Sequence, residues 1–155
     1  MKKVEIVEPS PEIFALQERM LTEIRSLLPD ASVEFVGASA VPMVGRRGID
    51  VIVISKDIQR NTGLLVDGGF SRGPIEHGIS YLKKYVNDIE VGVQVMSPEN
   101  KMVSTHRGII RTLREHEALR KQYEDFKRTL SGLSTNEYKK KKSEWIEKYI
   151  LPEIN

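Results

Sequence analysis

The chain has no cysteine, which excludes disulfides and thiolate metal sites. Histidine is scarce: His77, His106 and His116 share no ligand spacing, so no zinc site is indicated. No segment approaches the roughly 18 apolar residues that a membrane span needs. The opening MKKVEIVEPS carries two lysines with no apolar run behind them, so no signal peptide is expected. Charge of one sign is also missing. Lys+Arg is 24 against 22 Asp+Glu, and a net charge of +2 does not by itself indicate a nucleic-acid partner. There is no Walker A loop, no G-x-G-x-x-G, no Ser-His-Asp order, no repeat and no low-complexity linker. What remains is 155 residues, a length that suits one domain over 1–155 with a real core. A soluble, cytoplasmic protein is the expectation.

Punctuation divides the chain cleanly. Residues 4–7 read as a short strand or an extended lead-in. Ser10 then caps a helix with Pro11 at its first position, Glu12 on its dipole and a stripe of Ile13, Leu16, Met20, Ile24 and Leu27. Strands are expected at 33–36 and 49–54, and a helix at 57–67 closed by Gly68-Gly69. Residues 70–86 read as two short strands around GPIEHG, and 89–96 as a clear strand. Helices follow at about 99–115, 117–131 and 135–151, with breaks at His116-Glu117 and Ser131-Gly132. This is an α+β pattern, a mixed sheet with a helical C-terminal third.

The stretch VEFVGASAVPMVGRRGIDVIVIS, Val33 to Ser55, places one carboxylate at the mouth of a greasy strand. Asp50, Ile52 and Ile54 share one face and Ile49, Val51 and Val53 the other, so the strand is expected to be central. Asp50 can accept hydrogen bonds from the GRRG turn, pair with Arg46 or Arg47, or ligate a metal. Glu90 heads the polar face of the 89–96 strand, above Gly92 and Gln94. That face can simply meet solvent. If the two strands are neighbours, Asp50 and Glu90 meet instead, and paired carboxylates suit Mg²⁺. The turn at Gly37, Ala38 and Ser39 lets backbone approach a phosphate and adds a hydroxyl. Arg46 and Arg47 can grip phosphates or cover an exposed turn. In the helical tail, Lys127 follows Tyr123 by four and Lys142 follows Tyr138 by four, each beside or within an apolar stripe. Lysine stems can snorkel from such a place. The repeated step favours lysines aimed at an internal anion.

Three segments, GASAVPMVGRRGID, LREHEALRKQYEDFKRTL and YKKKKSEWI, in this order and spacing resemble the GrpB family. Gly37, Val41, Pro42 and Asp50 fit its loop-and-strand motif. Leu113, Arg114, His116, Tyr123 and Lys127 fit its second motif; Tyr138, Lys142 and Ile146 fit its third. The resemblance implies a polymerase-beta-like nucleotidyltransferase fold. It implies an NTP held by the Gly-Ser loop and two Mg²⁺ held by carboxylates on neighbouring strands, here Asp50 and Glu90. Gly37, Ser39, Arg46, Arg47, Arg114, Tyr123, Lys127, Tyr138 and Lys142 would then bind the nucleotide or another phosphorylated small molecule. The sequence departs from the pattern in several places. Ala38 stands at the loop serine, Gly48 and Ile52 flank Asp50 where a second Asp is usual, and Gly92 and Gln94 replace histidines. Ile110 and Arg111 fall where an Arg-Asp pair is common. Three functions follow as expectations: a nucleotidyltransferase with a reduced metal site, a phosphate-ligand binding protein without transfer, or an interaction module using a basic helical face.

Overall fold

In the computed structural model, residues 3–154 are described. Helix α1 (Pro11–Leu27) starts as its residues dictate: the Ser10 hydroxyl accepts from the Ile13 N–H at 3.2 Å, and Pro11 needs no such partner. It buries Ile13, Leu16, Met20 and Ile24. Strands β2 (Ser32–Phe35), β4 (Gly48–Ile54), β5 (Ser71–Glu76), β6 (Ile79–Val86) and β7 (Ile89–Met96) form one sheet in the order β2-β4-β7-β6-β5. The β4–β7 pair is parallel and the rest are antiparallel, so the sheet is mixed, as expected. A small ribbon pairs β1 (Ile6–Val7) with β3 (Gly45–Arg46).

Alternation along β4 sorts the two layers. Ile49, Val51 and Val53 enter the core formed with α1 and with α2 (Ile58–Asp67). Ile52 packs on the opposite face, with Val103 of α3 (Lys101–Glu115). Asp50 belongs to that second face. The core under α1 is closely packed, and Ile24 is fully buried. Removing one methylene there leaves a small cavity. Ile24→Val is therefore expected to lower the unfolding free energy by about 1 kcal/mol, read from urea denaturation.

Hairpin chemistry differs from the sequence reading in one place. The turn between β5 and β6 is His77-Gly78, both at positive φ, so Gly73 to Glu76 of GPIEHG lie within β5. Pro74 is tolerated because β5 is an edge strand and its ladder is irregular between Arg72 and Ile75. The β6–β7 turn uses Asn87 and Asp88, also at positive φ, which matches the twist of a tight hairpin.

The C-terminal third is helical: α3, α4 (Glu117–Arg128) and α5 (Thr135–Trp145). The last helix ends sooner than the expected 151. From Ile146 to Ile150 it widens into a π turn, and Leu151–Glu153 is a 3-10 turn. Trp145 stacks on Tyr123 (centroids 5.1 Å) and Phe126 (5.5 Å) of α4 and meets Tyr149 at 4.8 Å. This aromatic cluster locks α5 to α4. The lead-in strand completes the wall, since Val4 exchanges backbone hydrogen bonds with Leu133 and Gly132.

Candidate functional site

Between the end of the sheet and the helical tail lies a cleft of about 490 Å³. Gly37, Arg46, Arg47, Asp50, Glu90, Tyr123, Lys127, Tyr138 and Lys142 all line it, together with Lys3, Glu5, Tyr85, Asp88 and Thr135. Arg46 reaches it from β3, Asp50 from β4, Tyr85 from β6 and Glu90 from β7; Tyr123 and Lys127 come from α4, and Tyr138 and Lys142 from α5. Two expected members are elsewhere. The Ser39 hydroxyl accepts the Asp50 backbone N–H at 2.9 Å. Arg114 donates to the Ala40 carbonyl at 2.8 Å. Both border a separate groove and hold the 37–40 turn in place.

Register sets the carboxylates. Gly48 lies opposite Glu90, and Asp50 opposite Gly92. Asp50 and Glu90 thus share one face of neighbouring strands, two positions apart. Glycines clear the space around Asp50. A Cβ at Gly92 would sit 3.3 Å from one carboxylate oxygen, and one at Gly37 would sit 3.9 Å from the other. Gly37 also has φ +58, a left-handed conformation that favours glycine.

The two acids differ in their partners. Glu90 faces Arg46 at 3.6 Å and Lys83 at 3.9 Å and accepts from the Tyr85 hydroxyl at 3.0 Å. The Asp50 carboxylate makes no ion pair and no hydrogen bond among the described residues. Nor do the amines of Lys127 and Lys142, which only approach rings: Tyr123 at 4.4 Å and Tyr138 at 5.4 Å. Lys127 is 2% exposed. Burial, then the neighbouring Lys142, push its ammonium down to about 7 against the pull of Glu124 and Asp50. Burial also lowers Lys142; Asp50 raises it, while Arg46 and Lys139 add to the lowering. Burial raises the Tyr123 phenol well above the usual range, and Tyr138 is pushed up to about 12, so both rings stay neutral. Gly45 lies beside the lysine tip: a Cβ there would touch Lys127 Nζ at 3.8 Å and crowd the Ala38 Cβ at 3.3 Å.

His106 is the residue that the sequence reading passed over. It stands on α3, and its Nε2 is buried without a partner among the described residues. Burial lowers its imidazole, Asp50 raises it and Lys142 lowers it, so it feels the same charges as the cleft. Its signal was present: Val103, His106, Ile110 and Leu113 recur at spacings of three and four, placing a histidine within an inward stripe.

Whether Mg²⁺ suits these residues is decided by donors. The described residues contain no trio of His, Cys, Asp or Glu side chains placed to hold an ion. Glu90 is already neutralised by cations, and two ammonium groups stand near Asp50. The set fits one ion shared with a ligand's phosphate oxygens, with Asp50 as its protein carboxylate. It does not fit a pair of ions.

Known proteins give the same fold. The family model of GrpB proteins matches residues 3–151. A UPF0157 protein of Vibrio cholerae is 30% identical over 133 residues, covering 83% of this chain and 70% of that protein. The crystal structure of GrpB from Enterococcus faecalis superposes with a TM-score of 0.72 at 20% identity, over 94% of this chain and 99% of that one. A cytoplasmic RNA terminal U-transferase gives 0.56 at 15% identity, and Cid1 in complex with a UTP analogue gives 0.52 at 16%. Each covers 78% of this chain, which spans only 40% and 41% of those longer proteins. No helix among the described residues is long and apolar enough to cross a membrane. The sheet and the helical tail agree with these matches, and the chain belongs to the GrpB family, on a nucleotidyltransferase-like fold.

Proposed function

We propose that the cleft binds the phosphates of a nucleotide or another phosphorylated small molecule, and that protein amines supply most of the positive charge. One observation carries this reading: Lys127 and Lys142 open onto one cleft without a counter-ion of their own. A buried ammonium without a partner is expensive. A phosphate group supplies the missing charge and acceptors at once. Arg46 and Arg47 line the same cleft, although Arg46 is shared with Glu90 and Arg47 with Glu12 at 2.9 Å. Asp50 would be the carboxylate to hold a Mg²⁺ ion bound with the ligand, and the ion would offset part of the phosphate charge.

Nucleotidyl transfer is the second reading, favoured by Asp50 facing the Gly37 turn at the end of a central strand. The U-transferase and the UTP complex among the structural neighbours support UTP as a probe. The test is calorimetric titration of UTP and of inorganic tripolyphosphate, in EDTA and in Mg²⁺. Both ligands are expected to bind in EDTA within about tenfold of their affinity in Mg²⁺, a difference of about 1.4 kcal/mol. Loss of all binding in EDTA would return the site to a metal-held ligand. Pyrophosphate released from UTP in Mg²⁺, with an acceptor mixture present, would establish transfer.

A further inference from the structure

A second concave surface lies on the other side of the 37–40 turn, independent of the cleft. Strand β2 is at one end of the sheet order, so one of its edges is open. On one face stands α1 and on the other α3, and between them runs a groove of about 620 Å³. The Val36 N–H bonds the Asp50 carbonyl. By the alternation of an antiparallel ladder, the backbone groups of Val33 and Phe35 turn toward the open edge. Four arginines rim it: Arg25 from α1, and Arg107, Arg111 and Arg114 from α3. The last three are spaced by four and three, which places them on one helix face.

These arginines are unequally engaged. Arg25 reaches the outward Val33 carbonyl with a long 3.4 Å bond. Arg107 pairs with Glu34 on the α3 face, and Arg114 holds Ala40. Arg111 is exposed and makes no ion pair or hydrogen bond among the described residues. Arginines alone can guard an edge against pairing. Here they stand on both faces of a short edge strand, above a floor of Val33, Phe35 and Ile110.

We propose that this edge is a docking surface for an acidic, extended peptide segment of a partner protein, added to β2 as a further strand. Its backbone would complete the outward groups of Val33 and Phe35, and its alternating carboxylates would take Arg25 on one side and Arg111 on the other. A second copy of this chain is a poor occupant, because pairing β2 with β2 would oppose two arginine rims. Nucleic acid fits less well, since Phe35, the one ring among the described residues of the groove, packs against the core rather than standing as a stacking platform.

The test uses a fluorescein-labelled ten-residue peptide of alternating glutamate and valine, a control with glutamine for glutamate, and a labelled ten-nucleotide single strand. The acidic peptide is expected to bind the full chain, with the glutamine control weaker by about tenfold or more. Arg111→Glu, at an exposed and unpaired position, should fold normally and weaken the acidic peptide by about tenfold or more. Saturating peptide should slow amide exchange at Val33 and Phe35, and tripolyphosphate in the cleft should not displace it. Absence of peptide binding would overturn the proposal, as would equal affinity for the control or unchanged exchange at those two amides. Displacement by tripolyphosphate, or binding of the oligonucleotide alone with loss in Arg111→Glu, would also overturn it.

Discussion

Lys127→Met is expected to lower the affinity for tripolyphosphate or UTP by about 100-fold while leaving the fold intact. A hydrogen bond to a charged group contributes about 1.5–3 kcal/mol, and a lysine tip without competing acceptors can place two on a phosphate. At 1.4 kcal/mol per factor of ten, even the lower end for two such bonds, about 3 kcal/mol, is about two decades. Methionine keeps the unbranched volume among Tyr123, Gly45 and the aromatic cluster. Unchanged affinity would mean that the lysine only buries its stem, and the amine-held reading would fall.

The same substitution has a pH signature. Folded Lys127 holds its proton only up to about 7, whereas its ordinary value is 10.5. Between those values the unfolded chain carries the proton and the folded chain does not. The unfolded state therefore binds more protons across that window, so Lys127 makes stability rise with pH. Each unit is worth about 1.4 kcal/mol for a fully shifted group. Measured by urea denaturation at pH 7 and pH 9, the natural protein should gain on Lys127→Met by on the order of 2 kcal/mol. A bound phosphate favours the ammonium form, so ligand binding at pH 8 should take up a proton, visible as a buffer-dependent heat.

Much of this arrangement was legible in the residues. The Ser10-Pro11 start, the double-sided apolar pattern of 49–54 and the Tyr-x-x-x-Lys step each reflect a local rule, and local rules survive folding. The pairing of β4 with β7 could be stated only as a condition, because parallel neighbours are set by tertiary packing. Ser39 shows what a motif reading leaves out. A hydroxyl two residues past a glycine looks like a phosphate donor, yet the strand that it flanks has an amide pointing at it. Arg114 is similar: the motif is present, but the nearest acceptor is a carbonyl of the turn. Partners distant in sequence decided both cases. His106 escapes a reading by metal spacing alone, while its place in the α3 stripe marks it as inward. The early end of α5 has no single-residue cause in the sequence; the π turn begins directly after the stacked Trp145.

Asp50→Asn separates the two readings of the cleft with opposite signs. Asp50 raises both amines: it is the main favourable charge on Lys142 and acts second to Glu124 on Lys127. It is also a negative charge beside the space where phosphate would lie. If amines hold the ligand, removing that charge removes a repulsion, and tripolyphosphate affinity in EDTA should stay level or rise by up to about tenfold. If a metal holds the ligand, the natural protein binds only in Mg²⁺, and the same change removes the ion's protein carboxylate, so binding in Mg²⁺ should collapse. The fold should survive in either case, because Asn is isosteric and the side chain has no hydrogen bond to lose among the described residues. Any pyrophosphate release seen in the natural protein should fall by about 1,000-fold or more, since charge stabilisation of this kind is commonly worth several kcal/mol in the transition state. Stronger anion binding combined with lost transfer would mean that the lysines bind and Asp50 reacts. Weaker binding in EDTA would show that the carboxylate orders the two amines, and that the cleft cannot form without it.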